Sequence, residues 1–281
     1  MRRTGGLLVI ALVLGLTGCS ADGSDDRYSD AKYDAMLEVE KVPGVLVAPY
    51  EHYVQVDPAA SEQEIVTTAL SVREILDGLG DDRPRDIELV AVYPGDSEVD
   101  TEFTTRVYDD DDRFERDVRV WAGLLDDGFT AVRFNVFDET GDGVLNVQSG
   151  EPGAPGPSVS ESFDAMVGAL GEDAASFMGL QTQAVVDGLL VTNRSGRAAL
   201  PDGWGVALDR ISTLEVGPRS SVDFDPDATT LRLKGATDLT AEQGAEIMAI
   251  LTSAGVLRPA LTVTYNTVGD DTLTTLYGAV E

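Results

Sequence analysis

The stretch Asp138-Glu-Thr140-Gly-Asp142-Gly143-Val-Leu145-Asn146 has the residue types and spacing that come nearest to a chemical site. Oxygen-bearing side chains stand at its first, third, fifth and ninth positions. Gly143 is sixth, where a loop wrapped around a hard cation must turn sharply. Asp138, Thr140, Asp142 and Asn146 are therefore the candidate metal ligands, and calcium is the cation that such oxygens suit. Position twelve is Ser149 in place of a bidentate carboxylate, and the flanks alternate as strands do. A Gly-Asp hairpin turn competes for the same residues. Asp109–Asp112 is a run of four acids ahead of a helical pattern, where carboxylates favour the helix dipole and make a solvated turn. His52 is the only histidine and Cys19 the only cysteine, which excludes sites built from several His or Cys ligands. There is no G-x-S-x-G elbow and no phosphate-binding glycine loop. With no nucleophile–base pair to nominate, the chain is expected to be no enzyme and to need no cofactor, calcium being the weak exception.

The 138–149 spacing partly resembles the calcium loop of EF-hands, although the flanking helices of that motif are missing. The elements around it follow from periodicity. Ser61–Gly80 carries Ile65, Ala69, Val72, Leu76 and Leu79 at helical spacing, opened by a Ser61/Glu64 capping box. Phe114, Val118, Trp121 and Leu125 mark a second helix. Strands are expected over Val45–Val56, Ile87–Tyr93, Glu102–Tyr108 and Val132–Val136. The later residues repeat this order: a Val185–Thr192 strand, a helix with Trp204, Leu208 and Ile211, strands at Val222–Phe224 and Thr230–Lys234, a helix capped by Thr240 and Gln243, and a Leu261–Tyr265 strand.

Two echoes strengthen the repeat. Tyr33-Asp-Ala-Met36 matches Phe163-Asp-Ala-Met166, and Asp138–Leu145 matches Asn266–Leu273. An internal duplication follows. The expected fold class is α+β: two tandem ferredoxin-like (split β-α-β) units, each an antiparallel sheet with helices on one face. Residues 33–149 form the first unit and 161–281 the second, joined by a Pro/Gly linker at 150–160.

At the N-terminus, Arg2 and Arg3 precede the apolar run Leu7–Leu16 and then Thr17-Gly18-Cys19. Ten residues at about 1.5 Å each cover only half of a hydrocarbon core of about 30 Å, so the run reads as a secretory signal. Leu16-Thr17-Gly18-Cys19 resembles the lipobox of the bacterial lipoprotein class. That resemblance implies a signal peptide over 1–18, removed on the general secretory route. It also implies diacylglyceryl modification of Cys19 and a chain held on the outer face of the cytoplasmic membrane. Two acyl chains anchor firmly where one does not. Residues 19–32 are expected as the lipidated cysteine and a flexible tether.

The net charge is −30, and −32 once residues 1–18 are removed. Such a chain is repelled by nucleic acid and by anionic headgroups, so its expected contact with the membrane is the lipid on Cys19. The function expected is that of a non-catalytic envelope lipoprotein, an interaction or accessory module with an envelope protein as partner. The alternative is a small-molecule or calcium-binding lipoprotein, with a carboxylate-based wall hydrolase behind it.

Overall fold

The structure is a computed structural model that describes residues 30–50, 52–92, 101–106, 109–125, 127, 129–138, 142–149, 156–171, 179–195, 198–214, 220–269 and 272–278. The lipobox residues and Cys19 lie outside these. The described residues form six helices: α1 (Asp30–Val39), α2 (Glu62–Asp77), α3 (Asp111–Leu125), α4 (Val159–Leu170), α5 (Trp204–Ser212) and α6 (Ala241–Ser253). Twelve strands alternate with them in pairs: β1 (Val45–Tyr50), β2 (Tyr53–Val56), β3 (Ile87–Ala91), β4 (Thr101–Thr105), β5 (Ala131–Val136) and β6 (Gly143–Ser149), then β7 (Leu180–Val186), β8 (Leu189–Asn193), β9 (Ser221–Phe224), β10 (Thr229–Gly235), β11 (Leu261–Thr267) and β12 (Thr274–Tyr277).

The strands lie side by side in chain order in one mixed sheet. Each αββ unit is a helix followed by an antiparallel hairpin, and each unit joins the next by a parallel strand pair. The described residues form six such units in a row. Consecutive helices touch one another along the whole row, so all six cover the same sheet face. Strand direction reverses at every hairpin while the row advances one way on one face. Successive crossovers therefore alternate in hand, and only every second one takes the right-handed form that β-α-β connections usually adopt.

The core lies between the helix row and the sheet. Leu89, Phe103, Phe134 and Leu145 form one transverse line through β3, β4, β5 and β6, all without exposed surface. Phe103 sits at its centre, with ring centroids 6.1 Å from Phe114, 6.1 Å from Trp121 and 5.9 Å from Phe134. Farther along, the Trp204 ring meets the Phe224 ring edge-on at 4.9 Å. The expected capping boxes are present at Ser61/Glu64 and Thr240/Gln243, and a third stands at Ser158/Glu161.

Two ferredoxin-like units with antiparallel sheets are thus not what the chain builds. A split β-α-β unit needs a strand inserted between the two that a helix connects, whereas here the partners of every crossover are adjacent. The expectation failed where a hairpin read as one strand. Residues 45–56 are two strands that fold back on each other. Residues 185–192 straddle another hairpin, turned at Asp187-Gly188, where φ is 50° and 80°. Each added strand shifts the pairing of everything after it. The stretch 150–160 lies between β6 and β7, which pair in parallel along seven residues, so the sheet runs past it unbroken. At the other end, α1 begins at Asp30, within the expected tether.

The echoed stretches do occupy equivalent places. Tyr33–Met36 and Phe163–Met166 lie in α1 and α4, the helices of units one and four. The echoes at 138–145 and 266–273 fall at the β5–β6 and β11–β12 connections, in the hairpins of units three and six.

Candidate functional site on the open sheet face

Strand alternation sends every second side chain away from the helices, onto a face that no described element covers. Successive registers align these residues across the sheet. Glu102 stands opposite Arg133, Arg133 opposite Asn146, Asn146 opposite Gln183, Gln183 opposite Thr192 and Thr192 opposite Asp223. Cross-strand neighbours at this spacing interact directly. The Asn146 Nδ2 amide donates to Gln183 Oε1 at 3.0 Å, and the Thr104 hydroxyl donates to Glu102 Oε1 at 2.7 Å. Toward the C-terminal side, Arg194 donates from Nε to Gln181 Oε1 at 3.1 Å and from Nη1 to Asp223 Oδ1 at 3.2 Å. Arg232 approaches the other Asp223 oxygen at 3.8 Å.

Two properties set this face apart. With strands about 4.8 Å apart, twelve of them span about 50 Å. The charge is also balanced there: Glu88, Glu102 and Asp223 are the acids on its strands, and Arg133, Arg232 and Lys234 the bases. On a chain with net charge −30, the excess acid lies elsewhere. The remaining strand positions are mostly amides and hydroxyls, such as Asn135, Gln148, Thr230 and Thr262. Such a face can hydrogen-bond broadly and desolvate without stranding one sign of charge.

Of the expected calcium ligands that are described, Asp138 and Asp142 lie together and Asn146 lies apart from them. Asp138 and Asp142 share the β5–β6 connection, where the Asp142 amide donates to Asp138 Oδ1 at 3.3 Å and the Phe137 amide to the Asp142 carbonyl at 2.9 Å. Asn146 lies four residues along β6, about 13 Å from Asp142 at strand rise, with its amide held by Gln183. Gly143 makes no sharp turn; it opens β6 opposite Val136, where a Cβ would strike the Asn135 carbonyl. Thr140 lies outside the described residues. Among those residues, no three His, Cys, Asp or Glu side chains stand close enough to share a metal ion.

The acidic run 109–112 meets arginines. Arg73, 6% exposed, pairs with Asp111 at 2.5 Å, donates to the Asp109 carbonyl at 3.2 Å and lies 5.6 Å over the Phe114 ring. Arg83 pairs with Asp109, and Asp110 Oδ1 accepts from the Arg113 amide at 3.0 Å, capping α3. The run starts a helix and ties α3 to α2. His52 lies at the β1–β2 turn, its ring stacked on Tyr50 at 6.0 Å.

Sequence reasoning passed over the open face. Its signal was the alternation of amides in LNVQ (Leu145–Gln148) and LQTQ (Leu180–Gln183), which reads as an ordinary wet strand face until the two strands are known to be neighbours. Comparison with protein-family models, with curated proteins and with solved structures finds no match to this chain.

Proposed function

We propose that the chain is a lipid-anchored, extracytoplasmic accessory module that docks an envelope protein on the open face of its sheet. The observation that carries this reading is the charge-balanced, amide-rich face, about 50 Å wide, on a chain of net charge −30. Helices on one side make the sheet rigid, and the flat, hydrogen-bonding side is left for a partner. The lipobox-like Leu16-Thr17-Gly18-Cys19 supports placement at the membrane surface, where tethering raises the local concentration of both partners. Asn146 and Gln183 sit at the middle of the face, where interface residues contribute most.

The test is in-cell crosslinking of the anchored protein followed by mass spectrometry, with two variants. A defined partner is expected from the native chain and lost both in Cys19→Ala and in Asn146→Lys/Gln183→Lys. A partner retained undiminished by the double variant contradicts docking on this face.

A further inference from the structure

The two ends of the helix row are unfinished in complementary ways. Among the described residues, helices α2 to α5 each have a helix on both sides, whereas α1 and α6 have one helical neighbour each. Beside α6 runs a groove of about 550 Å³ whose apolar lining includes Leu239, Ala241, Gly244, Met248 and Leu276. It occupies the place that a seventh helix would take. Gly244 lies in the interior of α6, where glycine weakens a helix relative to alanine. A Cβ there would make only ordinary contacts, with Leu239 at 3.5 Å and Leu276 at 3.8 Å. The helix gives up stability at a point that its own packing does not require, and the groove stays open. At the opposite end, Tyr33, Leu46, Val47 and Tyr50 are all exposed. With Val268 and Leu273 beside the groove, the two ends hold six of the nine exposed large apolar side chains among the described residues.

Polarity selects the occupant. Strand direction reverses with each unit, so the first strand of a unit points the same way only in alternate units. Six units is an even number, and a seventh would therefore have the polarity of the first. A second copy placed in line presents α1 to the groove and β1 parallel to β12, which repeats the packing found at all five internal junctions. An odd number of units would have presented the reverse polarity. Pro49 removes one donor from the β1 edge, so strand pairing between copies is confined to Val45–Ala48, and α1 with the apolar side chains supplies the rest.

We infer that this protein associates head to tail, with α1 and β1 of one copy seated against α6 and β12 of the next. The contact is heterologous, so it extends into a row and does not stop at a dimer. The row prolongs the open face. Repulsion between chains of net charge −30 opposes it, and salt, which shortens the screening length from about 10 Å at 0.1 M to about 3 Å at 1 M, favours it.

The test is sedimentation velocity of the full chain carrying Cys19→Ala, so that lipid does not contribute to the mass, over a concentration series at low and high salt. Two blocked variants accompany it. Leu46→Lys/Val47→Lys spoils the exposed head, and Gly244→Leu, a helix-favouring change, fills the groove; circular dichroism and thermal melting confirm that each is folded. The expected result is a sedimentation coefficient that climbs with concentration and more steeply at high salt. Each variant alone should be monomeric, while a mixture of the two should give a one-to-one dimer through the remaining good head and good groove. A native chain that stays monomeric at high salt overturns the inference. So does a native dimer that never grows, or a mixture that stays monomeric.

Discussion

Asp117, with no exposed surface, lies 2.8 Å from Nη2 of Arg116 and 3.7 Å from Nε of Arg113 within the same helix. Burial pushes its carboxyl above the ordinary value, while hydrogen bonds and charge from the two arginines pull it down less strongly. A carboxyl raised on folding binds more protons in the native state than in the unfolded one. The native state therefore loses stability as pH rises from the unfolded value toward the native one. Asp117→Asn removes a charge whose desolvation outweighs its attraction to the two arginines, so near neutral pH it is expected to change stability by less than about 1.5 kcal/mol, the net size of one hydrogen bond. It should also abolish the loss of stability that begins near pH 4. Urea melts of both proteins across the acid range check each part.

The turn between β7 and β8 depends on glycine. Gly188 has φ 80° after Asp187 at 50°, the pair of left-handed residues that a tight two-residue hairpin requires. Gly188→Val forces a branched side chain into that region and should cost about 1–2 kcal/mol. Chemical denaturation gives the value. No loss would show that the hairpin is turned in another way.

Asp187-Gly188 also marks what could be read beforehand and what could not. Helix positions followed from periodicity, and α2, α3, α5 and α6 lie where Ile65, Phe114, Trp204 and Thr240 placed them, because an apolar stripe reports the helix face directly. The Asp-Gly pair was an available hairpin signal between apolar runs, and missing it merged two strands into one. Strand order is a different matter. Nothing in the pattern of one strand states which strand lies beside it, so the single sheet and the row from Glu102 to Asp223 emerge only from the pairing. The Asp138–Asn146 spacing has two readings for a related reason. Loop ligands and hairpin residues share the same types, and only the β6 ladder shows that Asn146 belongs to the sheet.

Continuity of the sheet across residues 150–158 has a direct signature in hydrogen exchange. β7 pairs with β6 on one side and β8 on the other, so its amides facing either way should be protected like those of β3 and β4. If residues 180–186 formed the edge of a separate sheet, alternate amides would exchange as fast as those of β12.

Calcium is expected to leave the protein unchanged, since Asp138 and Asp142 share no third ligand among the described residues and Asn146 is engaged by Gln183. Calorimetry at millimolar calcium should give no binding heat. A heat that disappears in Asp138→Asn would restore the cation loop.

The docking face itself is tested most directly by placing a photoreactive residue at single sites in the anchored protein and irradiating cells. Arg133 and Arg232 are exposed on the open face, while Glu242 and Glu246 are exposed on the helix side. One partner adduct of constant mass is expected from positions 133 and 232 and none from 242 and 246. Adducts confined to the helix side, or an absence of adducts at both open-face positions, would contradict a partner bound on the sheet.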